Sequence, residues 1–255
     1  MPSQITQRRR ARRSASTSSR PVWLFDLDNT LHRASHAIFP AINAAMTQYI
    51  IDALGVDRAE ADRLRLGYVR RYGATLMGLA RHHQIDPHDF LRVVHTFPDL
   101  AAMVRAERGL ARLLAALPGR KLILTNGPEA YARAVLAELG IERHFEQVIA
   151  IEHMRRRGVW HAKPDMPVLR RVLREARVRV ADVVLVEDTR GHLKRYRRLG
   201  IRTVWIVGHL IAAPRKDGSL SRLPGAGRPH YVDCRVRSLK SLRRLTTSRG
   251  AHAVD

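Results

Sequence analysis

The sequence predicts an α/β fold, with a parallel sheet covered by helices on both faces and a helical module inserted after the first strand. Short runs rich in valine and isoleucine alternate along the chain with segments of helical periodicity, which is the pattern of βαβ units. Roughly 90 residues separate the first two runs, far more than the single crossover of such a unit needs. An inserted module accounts for that length.

Five apolar runs are predicted to be strands. They are Val22–Asp26, Lys121–Gly127, Glu146–Glu152, Asp182–Asp188 and Arg202–Gly208. Helical periodicity appears after the second, third and fourth runs, in EAYARAVLAELG, DMPVLRRVLREA and HLKRYRRLG. A last strand and helix are expected at HYVDCRV and SLKSLRRL. Because active residues of parallel sheets lie at the carboxyl ends of the strands, the polar tips of these runs are expected at one edge.

The inserted module is predicted to be a helical cap over the strand ends. Its segments AIFPAINAAMTQYIIDAL, AEADRLRLGYVRRYGATLMGLARHH and DPHDFLRVVH are helical in pattern. The last begins with Asp86 as a plausible N-cap and Pro87 at the first helical position.

These elements divide the chain into predicted domains. They are a disordered basic tail at 1–20, an α/β core at 21–34 and 119–247, a helical cap at 35–118, and a disordered C-terminus at 248–255. Within the core, the loop 215–228 is rich in Gly, Pro, Ser and Arg and is expected to be mobile.

The composition favours a globular cytoplasmic protein. The chain has 255 residues, 45% of them hydrophobic, which allows a substantial core. The single Cys234 excludes an internal disulfide and favours a reducing compartment. The longest apolar run, around Thr203–Pro214, is shorter than the about 20 residues that a membrane helix needs. The N-terminal arginines precede no apolar segment, which excludes a secretory signal and leaves a transit peptide as a minor alternative.

The charge is strongly positive. There are 46 Lys and Arg residues against 23 Asp and Glu, a formal net charge of +23, which attracts polyanions and phosphorylated substrates. Basic residues run through every segment, so a general arginine bias explains the body of the chain as simply as nucleic-acid binding does. The tail RRRARR has no interleaved aromatic residues for base stacking, and it predicts only weak, salt-sensitive binding to nucleic acid.

Four strand tips point to a chemistry. They are DLDNT (Asp26–Thr30), LTNG (Leu124–Gly127), AKP (Ala162–Pro164) and VEDT (Val186–Thr189). Gathered at one sheet edge, they would supply several carboxylates, a lysine and a turn with free backbone N–H groups. This set suits phosphoryl transfer through a covalent aspartyl-phosphate. Each tip alone is as well explained as a turn or helix cap, but four such tips in order make that explanation weak.

The acidic residues take distinct expected roles. Asp26 is the candidate nucleophile and, with Asp188, the candidate direct ligand of Mg2+, which offsets the repulsion between a carboxylate and a phosphate. Glu187 is expected to hold a metal-bound water. Asp28 is the candidate general acid and base, and it is also counted among the candidate metal-site residues.

The remaining tips are expected to bind the phosphoryl group. Lys163 supplies a fixed positive charge to the phosphate and the nucleophile. Thr125 and the backbone N–H groups of Asn126 and Gly127, at a helix N-terminus, are expected to cradle the phosphoryl oxygens.

These motifs together resemble the haloacid dehalogenase (HAD) superfamily, specifically its phosphatases. The D-x-D-x-T motif, the threonine at the second strand tip, the lysine and the paired acidic motif occur in the family's order, over about Val22–Val207. The resemblance implies a Rossmann-like, HAD-like core with a class 1 cap. It also implies a Mg2+-dependent phosphomonoester hydrolase.

The cap narrows the expected substrate. The segment Arg70–His95 resembles the cap of the pyrimidine 5'-nucleotidase branch, which implies nucleoside monophosphates of uracil and cytosine as substrates. Tyr72 is then expected to stack on the base, and Thr75 and His95 to hydrogen-bond its polar edge or the ribose. The alternative is that these side chains belong to the cap core. The chain departs from the branch at His32, where tyrosine is common, and in having glutamate before Asp188.

Two other functions stay open. One is a phosphatase for another small metabolite, such as a sugar phosphate or phosphoglycolate, or a phosphomutase on the same scaffold. The other is a nucleic-acid-binding protein that uses its positive charge. The sequence leaves the oligomeric state unknown.

Overall fold

The structure is a computed structural model of the chain and describes residues 20–210 and 227–247. The strands are β1 (Val22–Phe25), β2 (Arg120–Leu124), β3 (Gln147–Ile149), β4 (Val183–Glu187), β5 (Arg202–Ile206) and β6 (Cys234–Val236). They form one sheet in the order β3–β2–β1–β4–β5–β6, and every neighbouring pair is parallel. The predicted α/β fold with a parallel sheet is confirmed.

The helices in the described ranges lie largely where the periodicity predicts them. They are α1 (Ile38–Leu54), α2 (Arg58–Tyr72), α3 (Thr75–His82), α4 (Pro87–Val94), α5 (Leu100–Met103), α6 (Leu110–Ala116), α7 (Glu129–Glu138), α8 (Met166–Glu175), α9 (Arg190–Arg197) and α10 (Leu242–Thr247). None of them is both long and apolar enough to cross a membrane.

The sheet is buried on both faces, as the apolar runs require. Trp23 and Phe25 of β1 join a cluster that includes residues of α6 and α7. Val22 and Leu24, on the other face, join a cluster with α8 and α9. Because successive side chains of a strand point to opposite faces, a continuous apolar run serves both layers of helices.

The helices α1 to α4 share another hydrophobic cluster, which also includes Ile151 and Ala162 from the segment after β3. It includes Ile50, Leu79 and Phe90. By contrast, α6 lies within the predicted cap range 35–118, yet its Leu113 packs into the cluster of the sheet. We therefore propose that the boundary between cap and core falls after α4.

One predicted cap helix is interrupted. The sequence pattern runs as helix through AEADRLRLGYVRRYGATLMGLARHH, but the structure ends α2 at Tyr72 and begins α3 at Thr75. Gly73 lies between them with φ of +85°, and its N–H donates to the carbonyl of Val69. Glycine adopts this left-handed conformation without a steric penalty, so it ends the helix.

Other local predictions can be compared directly. The side chain of Asp86 caps α4 by accepting from the N–H of His88, and Pro87 is the first helical residue, as expected. The third strand is shorter than predicted, because the N–H of Ala150 donates to the ring of His153 and the chain turns at Ile151–Met154. The predicted features at 1–19, 211–226 and 248–255 lie outside the described residues.

Candidate active site

The carboxyl edge of the sheet brings the strand tips together. β1 lies between β2 and β4, so the order of the sheet reverses there, and ligands bind at such points in open α/β sheets. Asp26 directly follows β1, Thr125 follows β2, and Glu187 ends β4 with Asp188 after it. Lys163 reaches the same place from the loop between β3 and α8.

Lys163 forms a buried ion-pair triad with two carboxylates. Its Nζ donates to Oδ1 of Asp26 at 2.5 Å and to Oε2 of Glu187 at 3.1 Å. Burial works to lower the pKa of the ammonium, but the attraction of Asp26 and Glu187 outweighs it and raises the pKa of Lys163. Lys163 is therefore a fixed positive charge beside the candidate nucleophile.

Asp26 is held by both of its oxygens. Besides the bond from Lys163 to Oδ1, the hydroxyl of Thr30 donates to Oδ2 at 3.1 Å. Burial and repulsion from Glu187 raise the pKa of Asp26 to about 7, although Lys163 works in the opposite direction. Thr30 ends the DLDNT motif without a predicted role of its own, and its place four residues after Asp26 puts its hydroxyl on the carboxylate.

Three carboxyl groups form a candidate metal centre. Asp26, Glu187 and Asp188 each place one oxygen within 4.8 Å of the others. Burial, together with the charges of Glu187 and Asp26, raises the pKa of Asp188 to about 9. A divalent cation relieves such repulsion, and carboxylate oxygens are the donors that Mg2+ prefers, so these residues fit the ion.

Glu187, the last residue of β4, and Asp188, which follows it, differ in their contacts. Glu187 is buried, its Oε1 accepts the N–H of Thr189 at 3.0 Å, and its Oε2 accepts from Lys163. Asp188 is half-buried, and one of its oxygens accepts the hydroxyl of Thr189 at 3.0 Å. Both oxygens of Glu187 are thus engaged by the protein, and its contact with Lys163 positions the ammonium group.

Asp28 has two partners that the sequence did not predict. The hydroxyl of Tyr131 donates to its Oδ1 at 2.6 Å, and Nε2 of His32 lies 2.9 Å from the same oxygen. Burial alone would raise the pKa of Asp28, but its interactions with His32 and the hydrogen bond from Tyr131 lower it. His32 stood out in the sequence only as a departure from the pyrimidine branch. Its spacing of four residues from Asp28 was an available signal, while Tyr131 gave none.

The turn after β2 is stabilised by bonds of its own. Oγ1 of Thr125 accepts the N–H of Gly127 at 3.0 Å, a group that the sequence assigned to the phosphoryl oxygens. Oδ1 of Asn126 accepts the backbone N–H of Lys163 at 2.7 Å. Any Cβ on Gly127 would lie 3.0 Å from the ring of Tyr131. The turn therefore positions the lysine loop as well as facing the site.

The structure separates the three residues expected to recognise the base. Tyr72 lines a cavity of about 770 Å³ with Trp160 and the lysine loop. His95 lines another cavity, of about 320 Å³, together with Tyr131. Thr75 is buried, lines neither of these two cavities, and donates its hydroxyl to a backbone carbonyl of α2 at 3.3 Å.

Comparison with known sequences identifies relatives. Phosphate metabolism protein 8 of Saccharomyces cerevisiae is 31% identical over 141 residues, which are 51% of this chain and 43% of that protein. The chain thus matches less than half the length of this relative. Phosphoglycolate phosphatase of Rhodospirillum rubrum is 27% identical over 192 residues, 71% of this chain and 77% of that protein.

Solved structures share the fold. A HAD phosphatase from Thermococcus onnurineus has a TM-score of 0.59 at 17% identity, covering 92% of this chain and 100% of that one. L-2-haloacid dehalogenase of Xanthobacter autotrophicus has a TM-score of 0.54 at 16% identity, covering 91% and 100%. The sequence-family model of the haloacid dehalogenase-like hydrolases matches residues 22–201, well over half of the chain. The chain therefore belongs to the haloacid dehalogenase-like hydrolase family.

Proposed function

We propose that the protein is a Mg2+-dependent phosphomonoester hydrolase that acts through an aspartyl-phosphate on Asp26. The main observation in support is the setting of this carboxylate. It is bonded to the buried ammonium of Lys163, it shares a cluster with Asp188, and it lies two residues from a second carboxyl, that of Asp28. A candidate nucleophile, a fixed positive charge, candidate cation ligands and a candidate proton-transfer group, Asp28, thus lie at one sheet edge.

The proposed reaction has two displacements. A carboxylate oxygen of Asp26 attacks phosphorus, the bond to the leaving oxygen breaks, and Asp28 gives that oxygen a proton. Water then attacks the phosphorus of the phosphorylated Asp26 while Asp28 takes its proton, and the departing carboxylate is regenerated with release of phosphate. Lys163 offsets the developing negative charge. Mg2+, when bound by Asp26 and Asp188, adds charge neutralisation at the phosphate oxygens.

The proposed substrates are the monophosphates of uridine and cytidine. The likeness of the segment Arg70–His95 to the pyrimidine nucleotidase cap supports them, as does the cavity beside the lysine loop that Tyr72 and Trp160 line with their rings. Phosphoglycolate is the second candidate, because the Rhodospirillum phosphatase aligns over 71% of the chain. Arg81 and Arg195 line the same cavity and suit a second anionic group such as its carboxylate.

A substrate panel separates these candidates. UMP, CMP, AMP, a hexose phosphate and phosphoglycolate are compared with Mg2+ and with a chelator. We expect UMP and CMP to lead in kcat/KM by about tenfold or more, and activity to be lost with the chelator. A lead by phosphoglycolate would reject the nucleotidase in favour of the second candidate. A sugar phosphate rearranged without phosphate release would indicate a mutase.

The covalent step is tested by Asp26→Asn. The amide is a poor nucleophile, so we expect no phosphate release and no acid-stable label on the protein after quenching with a radiolabelled ester. Asp52→Asn, at an exposed position of α1, is the matched control and should label as the wild type does. Substantial turnover by Asp26→Asn would overturn the mechanism.

A further inference from the structure

One oxygen of Asp28 is occupied by two donors and the other is open. Oδ1 lies 2.6 Å from the hydroxyl of Tyr131 and 2.9 Å from Nε2 of His32. Within residues 20–210 and 227–247, Oδ2 has no hydrogen-bond partner, and the side chain of Asp28 is 14% exposed. The two oxygens of this carboxyl are therefore not equivalent.

The surroundings of His32 favour a hydrogen bond that its ring donates to Asp28. It is fully buried, and its Nδ1 has no hydrogen-bond partner in the described part of the chain. A neutral imidazole carries one N–H, and leaving that hydrogen on the unpartnered Nδ1 would bury an unsatisfied donor. The favoured tautomer therefore carries hydrogen on Nε2 and donates it to Oδ1.

Tyr131 is fixed from several sides. It lies in the first turn of α7, is 3% exposed, and its ring contacts His95 at 5.3 Å and Phe97 at 5.8 Å between centroids. Gly127 packs so closely on the ring that a Cβ would lie 3.0 Å from it. The hydroxyl thus reaches Oδ1 from a ring with little freedom to move.

We propose that His32 and Tyr131 are positioning residues that clamp Oδ1 of Asp28, so that Oδ2 is the oxygen that exchanges a proton with the leaving group. This inference rests on the proposed role of Asp28 as general acid. The two donors come from different elements, one after β1 and one on α7, and so restrain rotation of the carboxyl from two directions.

The clamp predicts a dependence on the leaving group. Protonation matters most for esters of alcohols that leave poorly, and little for 4-nitrophenyl phosphate. In Tyr131→Phe we expect the rate at which an alkyl alcohol is released in the first turnover to fall about tenfold. This loss is a part of the roughly 10²- to 10⁴-fold rate enhancement that a general acid supplies. Release of 4-nitrophenol should change by less than about threefold, with KM little altered.

The controls separate positioning from folding. Tyr68→Phe removes another hydroxyl that contacts a histidine, His83, within the cap, and should leave both rates unchanged. His32→Gln keeps an amide donor and should retain more of the alkyl-ester rate than His32→Leu. Equal losses on both esters, or no loss in Tyr131→Phe, would overturn the clamp.

A readout independent of activity distinguishes this inference from the proposed function. Crystal structures of the wild type and of Tyr131→Phe/His32→Leu are compared at Asp28. We expect the carboxyl to be single and oriented as described in the wild type, and rotated or in several conformers in the double variant. An unchanged carboxyl in the double variant would reject the clamp even where the enzyme proves not to be a phosphatase.

Discussion

Lys163 shows how much of the site depends on one buried side chain. It is 3% exposed, pairs with two carboxylates, and its backbone N–H is bound by Asn126. A buried ammonium is tolerated because Asp26 and Glu187 compensate its charge, and they in turn depend on it. The same contact that compensates the buried charges also holds a positive charge at the candidate nucleophile.

Replacing this lysine should therefore destabilise the protein. In Lys163→Met the buried carboxylates lose their counter-charge, and we expect the free energy of unfolding to fall by about 3–5 kcal/mol near neutral pH. The loss should shrink toward about pH 5, because protonation removes the uncompensated charges. Urea unfolding at neutral pH and at about pH 5 measures the loss and its pH dependence. The control is Lys194→Met, at an exposed site on α9, which should change the free energy of unfolding by less than about 0.5 kcal/mol. Equal effects of the two changes would contradict the buried triad.

The raised pKa of Asp188 predicts that the binding of protons and the binding of the cation are coupled. Its pKa is raised from 3.8 to about 9, so between these values the metal-free folded protein binds more protons than the unfolded chain. Stability without Mg2+ should therefore decrease as pH rises through this window. Mg2+ binding should release protons near neutral pH, measured by calorimetry in buffers of different ionisation enthalpy. Asp188→Asn should reduce that release, because only Asp26, whose pKa is raised to about 7, is left to supply it, and a wild type that releases none would refute the prediction.

The turn between α2 and α3 links the cap to the lysine loop. Gly73 holds φ of +85°, and a Cβ built on it would lie 3.6 Å from the carbonyl oxygen of Lys163. The interruption of the helix at this glycine thus brings cap backbone into contact with the loop that delivers the ammonium.

Gly67, inside α2, and Gly73, just after its last residue, are a matched pair of positions for substitution. Gly73→Ala forces a side chain into the left-handed region and should destabilise by about 1–2 kcal/mol. Gly67→Ala, inside α2 with nothing within 4 Å of the new Cβ, should stabilise by about 0.5–1 kcal/mol. Thermal unfolding of both variants checks the signs. A stabilising Gly73→Ala would contradict the described turn.

The molecule as a whole combines a family core with an unusual charge. The formal net charge of +23 is far in excess of what one phosphate ester requires, and the six arginines within residues 1–20 add to it. The acidic residues of the candidate site are engaged within it, in the triad, the candidate metal centre and the Asp28 contacts. Association with polyanions is therefore expected as a property separate from hydrolysis.

Salt dependence tests this separation. We expect the full chain to bind a DNA oligomer without base preference, with affinity falling about 10³-fold between about 50 and 200 mM salt if six phosphates are neutralised. A variant lacking residues 1–20 should bind more weakly, with a shallower salt dependence and unchanged hydrolysis. Base-specific binding at physiological salt would instead support a nucleic-acid function.

The parallel sheet and most of the residues at its carboxyl edge could be predicted from the sequence. Apolar runs such as Val22–Asp26 predicted the parallel sheet, because a strand covered on both faces must be continuously apolar. Since carboxyl ends of parallel strands meet at one edge, Asp26, Thr125 and the pair Glu187 and Asp188 were also predictable as neighbours. The prediction that Ala162–Pro164 forms a strand tip was wrong, because Lys163 lies in the long loop between β3 and α8, which folds back to the same edge.

Other features of the candidate site could be identified only from the tertiary structure. The contact of Tyr131 with Asp28 joins residues 103 apart, and no local pattern encodes such a distance. The separation of Tyr72 and His95 into two cavities likewise depends on how the cap helices pack on the core. Sequence periodicity specifies which face of an element is buried, whereas the partner of a polar group is set by the packing of distant elements.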